Sequence, residues 1–314
     1  MKPRILVVGS SNIDFVCRVN RVPMQGETMI SDGMYAFVPG GKGANTAVAA
    51  ARLGGDVIFC TRVGADSYGK QLSDKYASEG IDTRFITMDK GSKTGLAVIM
   101  VEDSGHNRIV VYSGANMNLS SDDVEEAFTS YPDALLLQLE IDRETVISAT
   151  RMAKAKGAKV FLDAGPATRD FPLEQLGPLE VLSPNETETE ILTGVKPNSA
   201  ATCLRACVEL MNRVPCKYIV LKLGDRGCYV YDGTHCNHIA PIDIGLPVDT
   251  TAAGDAFTAA LAARYMENGN DIIGACEFAN AVGAYVVTKA GAFPSLPTLK
   301  ELKAFLDKGE EQQI

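Results

Sequence analysis

Residues 134–165, ALLLQLEIDRETVISATRMAKAKGAKVFLDAG, contain two apolar runs separated by a segment with helical spacing. The runs ALLLQLE (134–140) and KVFLDAG (159–165) are almost continuously apolar, which is typical of strands buried on both faces of a sheet. A helical pattern over 142–156 fills the interval between them. The stretch therefore predicts a strand–helix–strand unit with parallel strands.

The same alternation extends along most of the chain. We predict further strands at 5–9, 57–64, 181–186 and 218–224, and further helices at 41–53, 67–79, 120–130, 187–193, 199–213, 254–267 and 271–288. The predicted fold class is α/β, a doubly wound, mostly parallel sheet covered by helices. In such a sheet, ligands bind beyond the carboxyl ends of the strands.

Two segments, 15–39 and 94–112, alternate apolar with polar residues, as half-buried antiparallel strands do, and the second contains a hairpin turn at Asp103-Ser104-Gly105. We predict that 15–40 and 94–113 form a small β-sheet lid, whereas 1–14, 41–93 and 114–314 form the α/β domain. Because a small sheet leaves one face and its edges uncovered, we expect the lid to close over a ligand or to pair with a second subunit.

Bulk composition limits the classes of function. The 314 residues are 46% apolar and 22% charged, which is typical of a soluble globular protein. A net charge of −9 argues against a nucleic-acid partner, since phosphate-backbone binding needs a basic face. The N-terminal apolar run is too short for a signal peptide and no run is long enough to span a membrane, so we expect a cytoplasmic protein with no membrane partner.

The eight cysteines include no C-x-x-C pair, and we expect reduced thiols rather than disulfides. Cys203 and Cys207 lie four residues apart on a predicted helix, where two small buried side chains are a better interpretation than a metal site. His235, Cys236 and His238 are the tightest metal-like cluster, but we favour an exposed hairpin without a metal.

The segment VDTTAAGDAFTAALAARYM (248–266) places small residues between Asp249 and Asp255, ahead of a helical pattern. If the helix begins near Ala252, the amides of residues 252–254 point outward unpaired, and an anion can approach them closely. This arrangement suits charge that develops on a transferred phosphoryl group, and Asp255 could accept the proton of the attacking hydroxyl. The alternative is an acidic residue that only complements the helix dipole.

The segment PGGKGANTAVAAARLGG (39–55) is a glycine-rich turn that leads into a helix of small residues. It is not a P-loop, because Gly43 follows Lys42 where a P-loop has Ser or Thr. Its glycines allow close approach of a ligand to the backbone. Tight packing alone would explain the glycines, but it explains poorly why Asn45 lies within a run of alanines.

PGGKGANTAVAAARLG and DTTAAGDAF together resemble the two signatures of the ribokinase-like carbohydrate kinases. Further motifs that resemble this family follow in order along essentially the whole chain: GSSNID (9–14), PMQGET (23–28), SGANMNLS (113–120), LQLE (137–140) and SPNETETEILTG (183–194). The family's fold, a large α/β domain with a β-sheet lid that often forms the dimer contact, agrees with the patterns above. The resemblance implies a homodimeric kinase that transfers the γ-phosphoryl group of MgATP to the 5-hydroxyl of D-ribose.

The resemblance also implies roles for individual residues. The sugar would be held by Asn12, Asp14, Gly41, Lys42, Asn45 and Glu140. Asp255 matches the catalytic base, and the anion hole matches Ala252, Ala253 and Gly254. The residues support this in part: Asn12 and Asp14 project to the same side if their segment is extended, and Glu140 ends a predicted strand at its carboxyl edge.

On the nucleotide side, Asn185 and Glu188 match an N-x-x-E element that organises Mg²⁺ and phosphate through water. Gly224 and Gly227 match a turn beside the ATP, and Asn280 matches the adenine pocket. The resemblance further implies a K⁺ ion bound, largely through backbone carbonyls, near Asp249, Thr251, Gly291 and Ser295. The alternative for Asp249 is that it only caps a turn.

Two positions depart from the usual pattern of the family. Residues 163–167 are DAGPA instead of Asn-Pro-Ala-Pro-Ala, and Lys222, which we count among the nucleotide-binding residues, replaces a Thr before Leu-Gly. Both features resemble relatives that phosphorylate fructose or keto-deoxy sugar acids. Two other functions stay open, a kinase of the same fold for deoxyribose, a nucleoside or another sugar, and a non-catalytic sugar-binding regulator. The regulator is disfavoured because Asp255 and the anion hole are retained.

Overall fold

The computed structural model describes residues 2–103 and 106–311. These ranges contain thirteen strands: β1 (Arg4–Val8), β2 (Asn12–Val19), β3 (Tyr35–Gly40), β4 (Asp56–Gly64), β5 (Ile86–Asp89), β6 (Gly95–Glu102), β7 (Asn107–Tyr112), β8 (Ala134–Leu137), β9 (Lys159–Leu162), β10 (Leu179–Leu182), β11 (Cys216–Lys222), β12 (Cys228–Tyr231) and β13 (Cys236–Ile239). The helices in the same ranges are α1 (Lys42–Arg52), α2 (Ser67–Ser78), α3 (Ser121–Ala127), α4 (Arg143–Lys156), α5 (Glu186–Thr193), α6 (Ala200–Arg213), α7 (Ala253–Glu267), α8 (Ile272–Val286), α9 (Ala292–Ser295) and α10 (Leu299–Glu311).

Nine of the described strands form one sheet, in the order β13-β12-β11-β10-β9-β8-β1-β4-β5. The strands from β11 to β5 are parallel, whereas β12 and β13 are antiparallel to their neighbours. This arrangement confirms the predicted α/β fold class, the six predicted parallel strands and the eight predicted helices. The short edge strand β5 and the helices α9 and α10 were not predicted.

Strand β1 shows why the predicted apolar runs form this sheet. Ile5 and Val7 belong to the hydrophobic cluster on one face, which includes α1, α7 and α8. Leu6 and Val8 belong to the cluster on the other face, which includes α4 and α6. Burial of each such side chain stabilises the fold by roughly 1.5–3 kcal/mol, so a strand covered on both faces must be apolar at every position.

A second sheet of four strands, in the order β3-β2-β6-β7, is formed by the two segments of alternating pattern. The predicted antiparallel pairing is found for β2 with β3 and for β6 with β7. The same prediction is wrong for the central pair, because β2 and β6 run parallel over eight residues. An alternating pattern reports that one face of a strand is half-buried, but it carries no information about strand direction. The predicted turn at Ser104 and Gly105 lies outside the described residues.

The predicted hairpin near His235 is confirmed as the antiparallel pair β12–β13, with His235 and Cys236 exposed. Cys203 and Cys207 are buried on α6. All eight cysteines have free thiols, as predicted. Across residues 2–103 and 106–311, no helix combines the length and the apolar character needed to span a bilayer.

Candidate active site

The two glycine-containing motifs meet at the carboxyl ends of the central strands. Helix α1 begins directly against the loop between β1 and β2, where the Ala44 amide donates to the Ser10 carbonyl oxygen at 2.9 Å. A Cβ atom on Gly43 would lie 2.5 Å from the backbone of Gly9 and Ser10. Only glycine allows this approach, which brings the start of α1, with Lys42 and Asn45, against the loop that follows β1.

Asp255, in the first turn of α7, is the side chain that joins the two motifs. Its carboxylate is 4% exposed. Lys42 Nζ lies 3.2 Å from Oδ1. Asn45 Nδ2 donates to Oδ2 at 2.8 Å, across 210 residues of sequence. Both oxygens are thus held by α1, while the Oδ1 atom of Asn45 is itself buried without a partner among the described residues.

Helix α7 begins with small residues, as predicted. Ala252, immediately before the helix, has φ 62° and ψ 3°, a left-handed conformation that costs a residue with a Cβ roughly 1–2 kcal/mol. The expectation that all three amides of the predicted anion hole are unpaired is wrong for Ala253, whose amide donates to the Thr250 carbonyl oxygen at 3.3 Å. That long bond closes a tight turn made possible by the backbone of Ala252.

The predicted sugar-binding residues Asn12 and Asp14 lie on β2, and both are buried. Being two residues apart on a strand, they share one face of the second sheet, as predicted. Burial raises the pKa of Asp14 to about 7, and the negative charges of Glu140 and Asp255 add to this effect. Three carboxylates are therefore near enough to interact electrostatically, and one of them, Asp255, is paired with Lys42.

Sequence reasoning missed Asn116, which holds Asn12 in place. Asn116 Nδ2 donates to Asn12 Oδ1 at 2.7 Å, and Asn116 Oδ1 accepts from the Ser11 amide at 2.8 Å. Both asparagines are buried. The motif SGANMNLS contains Asn116, but its contact with Asn12 depends on the arrangement of loops that lie far apart in sequence.

Glu140 is placed three residues beyond the end of β8, so the prediction that it ends a strand is wrong. Its Oε2 atom accepts from Ser10 Oγ at 2.5 Å and from the Lys42 amide at 3.1 Å. The Lys42 amide belongs to the first turn of α1, where unpaired backbone donors attract a carboxylate. Gly41, the residue before this helix, has φ 92°, a conformation that favours glycine.

On the predicted nucleotide side, Asn185 and Glu188 form a capping box at the start of α5, with 2.8 Å between each side-chain oxygen and the amide of the other residue. Burial raises the pKa of Glu188, and the Lys222 and Lys42 ammonium groups oppose this. Lys222 Nζ donates to Asp163 Oδ2 at 2.7 Å. The two departures from the usual motif are therefore in direct contact.

The remaining predicted nucleotide residues border the strands β11 to β13. Gly224 and Gly227 have φ of 58° and 78°, and the Leu223 amide donates to the Gly227 carbonyl oxygen at 2.9 Å. Asn280, on α8, donates through Nδ2 to the carbonyl oxygens of Ile239 and Ala240, at 3.3 and 3.0 Å. The amide group of Asn280 thus holds the segment that follows β13.

Three of the four residues predicted to bind K⁺ lie together. Asp249 Oδ1 accepts from the amide and hydroxyl of Thr251 at 2.9 and 2.6 Å, and Oδ2 accepts from the Gly291 amide at 2.8 Å. Burial alone would raise the pKa of Asp249, but these hydrogen bonds hold it below its usual value. The Ser295 hydroxyl is buried and donates to the Ala292 carbonyl oxygen at 2.7 Å. Asp249 therefore caps a turn, and its role in binding K⁺ stays a prediction.

Within the described part of the chain, no group of three or more His, Cys, Asp or Glu side chains is placed to hold a metal ion. A cation bound at the candidate site would therefore need other ligands than a cluster of protein carboxylates, such as backbone carbonyls, water or phosphate oxygens.

The buried carboxylate at the start of a helix of small residues, below a second small sheet, is the arrangement of a carbohydrate kinase. The sequence profile of the pfkB family carbohydrate kinases matches residues 2–299, and the chain belongs to this family. A ribokinase of Haemophilus influenzae is 38% identical over 309 residues, which cover 98% of this chain and 99% of that protein. A deoxyribokinase of Salmonella typhi is 32% identical over 308 residues, with coverage of 98% and 99%.

A solved structure of a relative has the same fold. The structure of Arabidopsis thaliana ribokinase complexed with ribose and ATP superposes with a TM-score of 0.89 and 33% sequence identity, and it covers 98% of this chain and 99% of that one. The likeness extends over both sheets. It confirms the fold, including the small second sheet, that the sequence motifs implied.

Proposed function

We propose that this protein is a ribose kinase, which transfers the γ-phosphoryl group of MgATP to the 5-hydroxyl of D-ribose and forms ribose 5-phosphate. The observation that carries the proposal is the environment of Asp255. Its carboxylate is buried at the start of α7, and Lys42 and Asn45 hold its two oxygens. The similarity to ribokinases over nearly the full length supports ribose as the substrate.

In this mechanism, Asp255 accepts the proton of the attacking hydroxyl. Because α1 holds the carboxylate in place before the substrate arrives, little reorganisation is needed at the moment of transfer. The amides at residues 252–254 face the transferred group and stabilise its negative charge, with the Ala253 amide exchanging its long bond to Thr250 for the phosphoryl oxygen. Each such preorganised donor typically contributes about 10²–10³-fold to the rate.

The sugar is held by side chains of the second sheet and of α1. Asn12 Oδ1 is occupied by Asn116, so its Nδ2 group is the donor offered to a sugar hydroxyl. Asp14 and Glu140 accept from hydroxyl groups, which relieves the repulsion among the three carboxylates. The unpaired Oδ1 of Asn45 supplies a further acceptor. Gly41 has no side chain and would allow the sugar to approach the backbone closely.

Two cations belong to the proposal. Glu188 and Asn185 suit Mg²⁺ because they supply oxygen atoms beside the phosphate path, and Mg²⁺ prefers oxygen ligands and keeps several waters. When bound, Mg²⁺ would neutralise charge on the phosphate oxygens. Asp249 suits K⁺ because its carboxylate and the neighbouring carbonyls offer oxygen ligands next to the anion hole. Gly224, Gly227 and Asn280 would border the base and ribose of ATP.

We infer a homodimer formed through the second sheet. Phe15 and Phe37 pack on the face opposite Asp14, with ring centroids 4.9 Å apart. By register, Val110 and Tyr112 lie on the same face as this pair, and both are about half exposed or more. An exposed apolar face on a small sheet with open edge strands is typical of an interface between subunits.

We also infer a cytoplasmic location, because the cysteines are unpaired. We infer neither a nucleic-acid partner nor a membrane partner.

The experiment that tests the function is a coupled ADP-release assay with Mg²⁺ and K⁺ over a panel of pentoses, hexoses and nucleosides. We expect the highest kcat/KM for D-ribose, with ribose 5-phosphate identified by NMR. A higher kcat/KM for 2-deoxyribose would favour the second candidate, a deoxyribose kinase, to which the 32% identity with a deoxyribokinase points. Ribose binding without ADP release would instead support the regulator.

A further inference from the structure

The two departures from the family motif contact each other, although they lie 59 residues apart. Asp163 follows β9 and is fully buried, and Lys222 ends β11 and is 8% exposed. Lys222 Nζ and Asp163 Oδ2 are 2.7 Å apart. Relatives that carry Asn and Thr at these positions would place two neutral groups there, so this chain replaces a neutral pair by an ion pair.

The carboxylate of Asp163 is fixed from three segments. Besides Lys222, it accepts from the Gly165 amide at 3.1 Å and from Thr258 Oγ1 at 3.3 Å. Burial alone would raise the pKa of Asp163, but the Lys222 and Lys42 ammonium groups outweigh burial and hold it below its usual value. Asp163 is therefore a fixed anion at neutral pH.

The ammonium group of Lys222 lies at the start of α7. A Cβ atom on Gly254 would be 3.4 Å from Lys222 Nζ, so the ammonium group lies close to the last residue of the predicted anion hole. An ammonium group has three N–H donors. Among the described residues, the acceptor found for Lys222 Nζ is Asp163, which leaves donors for an anion bound at residues 252–254.

The second lysine of this region has a different partner. Lys42 Nζ contacts Asp255 at 3.2 Å, and it also lies beside Gly165 together with Glu188. The two ammonium groups are thus assigned to separate carboxylates, Lys42 to the base and Lys222 to Asp163. Of the two lysines, Lys222 is the one whose ammonium group lies beside Gly254, so it is the cation placed to meet the transferred group.

We propose that Lys222 donates to the phosphoryl group under transfer and that Asp163 is the positioning residue that holds its ammonium group at the anion hole. This inference rests on the proposed kinase function. The two side chains act as one unit, since either charge alone would be buried without its partner. A purely structural ion pair would instead affect stability and leave catalysis unchanged in the folded protein.

The test compares Asp163→Asn, Lys222→Thr and the double variant with the wild type. We expect kcat to fall at least about tenfold in each single variant, because removal of one donor that faces the phosphoryl group typically has an effect of this size or larger. We expect the KM for ribose to change less than about threefold. The double variant also lacks the ammonium group, so we expect its kcat to stay at least about tenfold below the wild type, although it buries no unpaired charge. Lys217→Thr is the matched control, because Lys217 lies on the same strand, at its opposite end, and is paired with Glu180.

Single or double variants that keep more than half of the wild-type kcat would overturn the proposal. If a single variant fails to fold, the kcat of the double variant alone tests the proposal, because the double variant buries no unpaired charge.

Titration calorimetry separates this inference from the sugar assignment. We expect Lys222→Thr to weaken ATP at least about tenfold more than ADP, a result that does not require ribose as substrate. Equal losses for the two nucleotides would contradict contact with the transferred group.

Discussion

Asn116 Nδ2 donates to Asn12 Oδ1 at 2.7 Å, and this bond fixes which side of the Asn12 amide faces the sugar pocket. We predict that the wild type prefers D-ribose to 2-deoxyribose, because a pocket built for a hydroxyl leaves polar groups unpaired when it is absent, at roughly 1–3 kcal/mol per group. Asn116→Ala should reduce this preference, measured as the ratio of kcat/KM values. Equal efficiency for the two sugars in the wild type would contradict the role of Asn12.

Asp14 should make the stability of the sugar-free protein depend on pH. Its pKa of about 7 in the folded protein lies above its ordinary value, mainly because of burial and then because of Glu140 and Asp255. A raised folded-state pKa contributes stability at low pH, and this contribution is lost as pH rises toward and through 7. We expect the difference in Tm between Asp14→Asn and the wild type to grow in favour of the variant between pH 5 and pH 8. A difference independent of pH would be inconsistent with this account.

Potassium should activate the enzyme through Asp249. A cation held at the Asp249 loop would fix the residues that lead into α7 and so orient the amides of the anion hole. We expect activity to rise severalfold when sodium is replaced by potassium, and Asp249→Ala to remove that response along with most of the rate. If the rate is the same in potassium-free buffer and Asp249→Ala is unaffected, Asp249 serves only as the turn cap seen at Thr251 and Gly291.

The proposed dimer can be tested at Val110, which is exposed on β7. A carboxylate placed in an apolar interface is costly, so we expect Val110→Asp to shift the protein from dimer to monomer in sedimentation velocity experiments. Leu204→Asp, at an exposed apolar residue of α6 outside the second sheet, is the matched control. A monomeric wild type, or a dimer unchanged by Val110→Asp, would exclude this surface as the interface.

The sequence predicted the main sheet well because the central strands are apolar at most of their buried positions, as residues 5–8 of β1 show. It did not predict that β2 and β6 are parallel, since alternation reports burial and not direction. The edge strand β5 was missed because Thr87 and Asp89 interrupt its apolar character, so it does not stand out as an apolar run. The site was predicted one segment at a time: Lys222 and Asp163 were recognised as unusual, but their contact follows from the adjacency of β9, β10 and β11 in the sheet. The same limit applies to Asn116 and Asn12.

The central claim is that Asp255 is the base that accepts the proton of the sugar hydroxyl, and Asp255→Asn tests it most directly. The amide keeps the shape of the side chain but cannot accept the proton, and a general base typically contributes about 10²–10⁴-fold to the rate. Single-turnover kinetics and calorimetry should show a loss of at least about 10²-fold in phosphoryl transfer, with ribose affinity nearly unchanged. A variant that keeps more than half of the wild-type rate would contradict the account.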